Sequence, residues 1–346
     1  MPSQSLSSNR SYATDGAEKI GFLLLPEFPI YALIPAVESL RLANQNAGRR
    51  LFSVHLFSVD GRPVAAGSGM TVVPEQAIAD VPFFPTVIVC AGNHPMQHLT
   101  ISLLNWLRRL ERHGALLGAL DTGAFALAAA GLLNGYRATL HWEAIAMFRE
   151  HYPDVEVSEQ LYVVDRSRIT CAGGIAALDM MLHLIGLKHG SDLAQIVANG
   201  FVHGPVRRDA EQQRVSADDG FGHVDPRLAT IIRTMEENLE TPLSAEQLAR
   251  RAHISVRQLE RLVRARFGDT PMRYYLKLRL HAARNHLFYG DMPIQDIAAA
   301  CGFSAPSVLS RAFRDHFGLS PRAFRSQFSG DQLRRFRPEI RQSIRL

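Results

Sequence analysis

Over the first two hundred positions, apolar residues fall into short continuous runs: IGFLLL at 20–25, FSVHLFSV at 52–59, TVIVCAG at 86–92, ALLGAL at 115–120, and YVVD with ITCAG between 162 and 173. Runs of this length, rich in Val, Ile, Leu and Phe, predict buried strands. Between them apolar positions recur at helical spacing over 32–46, 99–113, 123–133, 142–151, 175–188 and 191–200. Strand and helix alternate, which predicts an α/β unit over 20–205. It should hold a mostly parallel sheet with helices on both faces, a flavodoxin-like sandwich. From 227 to 328 the pattern is helical throughout, and the second unit is expected to be all-α.

That second unit repeats itself. LSAEQLARRAHISVRQLERLVRARFGDTP at 243–271 is echoed by MPIQDIAAACGFSAPSVLSRAFRDHFGLSP at 292–321. Leu248-Ala249 answers Ile297-Ala298, Ala252 answers Cys301, Leu259 answers Leu309, and Arg261 answers Arg311, with one residue inserted after the serine. Each copy reads as a short amphipathic helix, a tight turn, a serine suited to cap, and a second helix: helix-turn-helix grammar. The second helices, 256–266 and 305–317, are expected to turn Leu259, Leu262 and Val263, then Val308, Leu309, Ala312 and Phe313, inward.

Charge sharpens this picture. From Asp225 onward the chain carries 21 Lys+Arg against 12 Asp+Glu, and the remainder carries 17 against 21. All but one of the 21 cations are arginines, whose planar fork of donors suits phosphate and guanine. A solvated basic surface is the plainer reading, but the duplicated pattern favours double-stranded DNA. Arg257, Gln258 and Arg261 in the first copy, and Ser307, Ser310 and Arg311 in the second, lie where base edges could be reached. Arg264 and Arg314, with Arg266, lie further along and suit phosphates. A long helix over 273–288 would set the separation of the two reading heads.

The string GFSAPSVLSRAFRDHFGLSPRAFR resembles the signature of AraC/XylS-type transcription regulators, over residues 226–328. The resemblance implies a promoter-binding regulator, an activator more than a repressor, that works with RNA polymerase and as a homodimer.

In GALLGALDTGAFALAAAGLLNG a buried-type strand turns at Asp121-Thr122-Gly123 directly into an Ala-rich helix, and ATLHWE then brings His141 to the end of the next strand. Such an elbow sits at the carboxyl edge of a sheet beside a helix N-terminus. Residues 20–205 thereby resemble the PfpI-like branch of the class I glutamine-amidotransferase superfamily, in the form fused to AraC-type modules. Catalytic members carry cysteine at the elbow. Here that position is Asp121 while His141 matches, so the resemblance implies a sensor that is not an enzyme; the alternative is a hydrolase or isomerase using Asp121 and His141. The expected ligand site comprises Glu27, Phe28, Tyr31, Asn93, Asp121, Thr122, His141 and Trp142, with Gly92. Aromatics beside an uncompensated carboxylate suit a cationic or quaternary amine, and the resemblance points to betaine-, carnitine- or arginine-type effectors. Each aromatic has ordinary core as its plainer reading, and His141 a turn-capping role.

Composition bounds the rest. At 47% hydrophobic and 21% charged residues, a globular chain of two domains is expected. Cys90, Cys171 and Cys301 are odd in number and widely spaced, which excludes a disulfide framework or a CxxC metal site and fits a reducing cytosol. No metal or cofactor is expected, and no run is suited to a membrane. Residues 1–19 read as a loose tail without a secretory signal, 206–226 as a linker, and 329–346 as a basic tail.

Overall fold

In a computed structural model the chain divides into two compact units, Met1–Gln213 and Arg214–Leu346. The structure describes residues 16–204, 207, 211, 213 and 225–328. The basic tail, most of the N-terminal tail and most of the expected linker lie outside these residues.

The first unit runs β1 (Glu18–Leu24), α1 (Ile30–Ala47), β2 (Phe52–Ser58), short β3 (Val64–Ala65), β4 (Thr71–Val72) and β5 (Gln76–Ala77), then β6 (Thr86–Ala91), α2 (Ile101–Arg112), β7 (Leu116–Asp121) and α3 (Ala124–Ala129). It continues with β8 (Arg137–Ala138), α4 (Ile145–His151), β9 (Glu156–Val157), β10 (Tyr162–Asp165), β11 (Arg168–Cys171), α5 (Ala176–His189) and α6 (Ser191–Gly200). Seven strands form one sheet in the order β10-β11-β7-β6-β1-β2-β5. Every pairing is parallel except β10 with β11. This is the expected mostly parallel α/β sheet.

Parity along the strands divides the core. Ile20, Phe22, Leu24, Ile88 and Cys90 pack with α1, α5 and α6 in one cluster, while Leu23, Val87, Val89, Leu117 and Ala119 are buried outside it. The chain moves from β1 to β2 in one direction and from β6 to β7 in the other. Right-handed crossovers therefore put α1 and α2 on opposite faces, with a topological switch point between β1 and β6.

Three boundaries differ from expectation. β1 begins at Glu18, inside the segment read as tail, because Glu18 and Lys19 pair with Phe52 and Ser53. The helix expected over 123–133 stops at Ala129, before Gly131 takes a left-handed φ of 75°. The helix expected over 142–151 opens as a tighter 3₁₀ turn at Trp142–Ala144.

The second unit is helical: α7 (Pro226–Glu236), α8 (Ala245–Arg251), α9 (Val256–Phe267), α10 (Pro271–Tyr289), α11 (Ile294–Ala300), α12 (Pro306–Phe317) and α13 (Pro321–Phe328). It has two cores. Leu228, Leu248, Ala249, Ala252, Leu259, Val263 and Tyr275 belong to the first. Leu280, Leu287, Ile297, Ala298, Cys301, Leu309 and Phe313 belong to the second. Residues aligned by the sequence repeat occupy matching places in the two cores, and α10, about 28 Å long at 1.5 Å per residue, contributes one end to each.

Candidate functional site

Both helix-turn-helix units close the same way. In the first, the amide of Ile254 donates to the Ala249 carbonyl at 3.0 Å; in the second, that of Phe303 donates to Ala298 at 2.7 Å. The turn residue is left-handed in both, His253 at φ 54° and Gly302 at φ 69°. Arg279 of α10 clamps the second turn. Its Nε and Nη2 donate to the carbonyls of Cys301 (2.8 Å) and Gly302 (2.6 Å), and its guanidinium lies over the Phe303 ring. Tyr275, one helical turn earlier, donates its hydroxyl to the Asn238 carbonyl at 2.5 Å. One helix thus holds the second turn and the loop after α7, and its Tyr275 also packs in the first core.

The second helix of each pair is the candidate reader. At about 100° per residue, Arg261 lies opposite the buried Leu259 and Val263, and Arg311 lies opposite Leu309 and Phe313. Arg257, Arg264, Ser307 and Arg314 are also exposed, on the same outward arcs; Ser310 is half-buried. Three expectations are corrected. Gln258 is a capping residue, since its Oε1 accepts from the Ser255 amide at 2.9 Å while the Ser255 hydroxyl accepts from the Gln258 amide at 3.2 Å. Ser304 does not cap the second reader. The inserted residue shifts the start, so Ala305 holds the cap position and Pro306, with no amide to satisfy, opens the helix. Val308, which the repeat aligns with the exposed Gln258, lies about 100° round the helix from Leu309 and faces outward, 47% exposed.

The second candidate site lies at the carboxyl edge of the sheet. Asp121 ends β7 in a left-handed conformation, φ 59°. Glu27, three residues beyond β1, and His94, three beyond β6, are left-handed as well, at φ 62° and 48°. The neighbouring strands β1, β6 and β7 therefore each lead into an ionisable residue held in a sparsely populated backbone region. Such strain persists only where the surroundings over-determine it, and it concentrates at functional sites. The elbow leaves little room: a Cβ on Gly123 would sit 2.2 Å from the Val89 carbonyl, and one on Gly173 would sit 2.6 Å from Asp121 Oδ2.

Burial sets the chemistry of this edge. Asp121 is 4% exposed, and desolvation, reinforced by Glu143, pushes its carboxyl well above the usual carboxylate range against a hydrogen bond from the Thr122 amide. Burial likewise raises Glu27, opposed by His94 and an Asn93 hydrogen bond. His141 is lowered by burial, against the pull of Glu143. Buried atoms Glu27 Oε2, His98 Nε2 and His141 Nδ1 have no hydrogen-bond partner among the described residues. Buried polar atoms ordinarily find partners, so these three are the ones on this edge that a polar ligand could satisfy. Tyr31, 57% exposed, feels both Asp121 and Glu143, and Trp142 is exposed beside His141.

Two of the expected ligand residues are core instead. Phe28 is fully buried among the packed side chains of α1 and α5, and Thr122 is fully buried with its hydroxyl donating to the Gly92 carbonyl at 2.6 Å. Asp121 is not a solvated carboxylate: burial raises its carboxyl and so disfavours the charged form. Glu143, His94 and His98 escaped sequence reading. Only the closeness of Glu143 to His141 hinted at its place, since residue type does not reveal a left-handed backbone at His94. All three cysteines are buried and free. Burial pushes the Cys171 and Cys301 thiols up to about 12, which removes thiolate reactivity at neutral pH.

A tandem helix-turn-helix unit joined to an α/β unit with a strained, polar sheet edge defines a DNA-binding transcription regulator with a separate ligand-sensing fold. Residues 18–187 match the DJ-1/PfpI family and residues 248–327 a helix-turn-helix domain family. The chain belongs to the AraC-type HTH transcriptional regulators that carry a PfpI-like N-terminal domain. It is 42% identical over 305 residues to the HTH-type transcriptional regulator GbdR of Pseudomonas aeruginosa, covering 88% of this chain and 83% of that protein. Regulator CdhR of the same species is 43% identical over 300 residues (87% and 89%). GlxA of Rhizobium meliloti is 37% identical over 309 residues (89% and 95%). Among the described residues no helix is long and apolar enough to cross a membrane.

Proposed function

We propose that the chain is a cytoplasmic homodimeric activator whose α/β unit, over 20–205, binds a small cationic effector and whose double helix-turn-helix, over 227–328, engages promoter DNA and RNA polymerase. The observation that carries the DNA half is the placement of Arg261 and Arg311, each central on the outward arc of a capped or proline-started second helix. Arg257, Ser307 and Ser310 flank them, and Arg264 and Arg314 follow one turn on, where phosphates run. Arg314→Ala is expected to weaken binding to every sequence alike and to lower the slope of log affinity against log salt by about one. Anisotropy titrations on a selected operator and on scrambled DNA read this; a loss confined to the operator would make Arg314 a base reader.

For the effector half, the support is the row of strained residues Glu27, His94 and Asp121 with unpartnered polar atoms beside them. Tyr31 and Trp142 offer ring faces, Asn93 an amide, and the carboxyls charge once ionised, which suits a quaternary amine or amino-acid derivative. Catalysis is disfavoured because the elbow position that carries cysteine in catalytic relatives carries Asp121, whose burial disfavours the charged form a carboxylate nucleophile needs.

The raised carboxyl gives a signed test. A cation favours the ionised form, so binding expels a proton from Asp121. Affinity should rise with pH, approaching about one log unit per pH unit between the lower titration point of the occupied site and the raised one of the empty site, and level off above the latter. Calorimetry of the strongest hit from a thermal-shift screen of amines, amino acids and quaternary ammonium compounds, run in buffers of different ionisation enthalpy, reads the released proton. Asp121→Asn should abolish the slope; an unchanged slope in that variant would remove Asp121 from the site.

A further inference from the structure

The stretch that leaves the α/β unit, read from sequence as linker, is held to that unit at two points. Asp179 sits among the apolar residues of the first turns of α5 and is fully buried. Its Oδ1 accepts from His203 Nε2 at 3.0 Å and from the Arg207 amide at 3.0 Å, and its Oδ2 from Arg207 Nε at 3.1 Å and Nη2 at 2.7 Å. A buried carboxylate is tolerated only when paired and hydrogen-bonded, and here all four donors come from the departing chain. Gln213 makes the second attachment. Its Nε2 reaches Thr139 Oγ1 at 2.9 Å and the carbonyls of Leu140 and Gln160 at 2.9 and 3.1 Å. Two main-chain bonds reinforce it, from the Leu161 amide to the Glu211 carbonyl at 2.9 Å and from the Gln213 amide to the Glu159 carbonyl at 3.0 Å.

Both attachments adjoin the elbow. Leu140 precedes His141, whose amide donates to the Asp121 carbonyl at 3.4 Å. Gly173, pressed against the Asp121 carboxyl, leads into the helix that carries Asp179. The Cys171 thiol between them lies within electrostatic reach of Asp121, Asp179 and Arg207 alike. A ligand that moves His141 or the Asp121 carboxyl must therefore disturb the segments holding Arg207 and Gln213.

We propose that these attachments form a latch: Asp179 and the Thr139–Leu140 segment grip the start of the interdomain connection, and effector occupancy at the elbow changes that grip and so reports to the DNA-binding unit. The proposal rests on the effector site described above. Arg207 and Gln213 act as positioning residues, part of a two-state element that both sites bias.

The test uses the full chain and needs no identified effector. Arg207→Gln removes the forked pair at a partly exposed side chain, and Gln213→Ala removes the second hold. Arg166→Gln, which breaks a surface pair with Asp165, is the control. With a selected operator upstream of a reporter and no effector added, both latch variants are expected to raise output about fivefold or more, within the usual range of allosteric coupling, while the control stays at wild type. Faster amide exchange at Arg207 and Gln213 checks that the grip is gone. Wild-type output from both variants with that grip lost would overturn the latch. So would variants that only lower the unfolding temperature of the α/β unit, because the contacts would then be a strut. A screen that finds no ligand while the variants do raise output would fault the effector reading and leave the latch standing.

Discussion

Gly302→Ala is expected to destabilise the DNA-binding unit by about 2–5 kcal/mol, combining the left-handed penalty of about 1–2 kcal/mol for a residue with a side chain and an overpacking cost of about 1–3 kcal/mol. Gly302 holds φ 69°, and a Cβ there would lie 2.4 Å from the Leu239 carbonyl and 2.7 Å from Pro242. The second turn presses directly on the loop that follows α7, so this glycine sets how the two helix-turn-helix units meet. The first copy supplies the control. His253 holds the matching place at φ 54° with its side chain exposed, so His253→Gly relieves backbone strain without touching a packed contact and should stabilise by about 1 kcal/mol or less.

Unfolding can be followed separately for the two units, because both tryptophans, Trp106 and Trp142, lie in the α/β unit. Gly302→Ala should leave the tryptophan transition unchanged and bring forward the loss of helical circular dichroism from the second unit. Coincident unfolding of mutant and wild type by both probes would mean that the turn yields without cost, and that the two readers are not fixed by this contact.

Much of this architecture was legible because it rests on periodicity. The strands at 20–25, 52–59 and 86–92 announce themselves as apolar runs too short for helices, and the duplicated helix-turn-helix appears as matched apolar spacing that recurs in both cores. What escaped depends on geometry that residue type does not encode. Glu27 is marked as a site residue by its place after the first strand, but His94 is unremarkable in sequence, and only the left-handed backbones of both reveal strain at the sheet edge. Phe28 is expected from sequence as an aromatic of the ligand site, yet it packs in the core cluster with residues of α1 and α5. The single inserted residue near 305 could be counted but its effect could not, since it moved the cap from Ser304 to Ala305. Arg207 and Gln213 were hidden by their polar surroundings, although Asp179, one acid amid ALDMML, signals that something must come to pair with it.

The other large effect concerns reading itself. Each arginine-to-guanine fork contributes about 1–3 kcal/mol of discrimination, and Arg261 and Arg311 are exposed on helices that pack into separate cores, to which α10 contributes opposite ends. Their contributions should therefore add. The Arg261→Ala/Arg311→Ala variant is expected to lose about 2–6 kcal/mol on a selected operator while its affinity for scrambled DNA falls only by the small phosphate-like share of two charges.

Footprinting and anisotropy of the full chain on operators carrying substitutions in one or both half-segments measure this directly. The account predicts for each bound protomer two protected major-groove segments about one helical turn apart, roughly 34 Å, with Arg261→Ala relaxing base preference in one and Arg311→Ala in the other. A single protected segment, or equal weakening of every DNA by both variants, would contradict it.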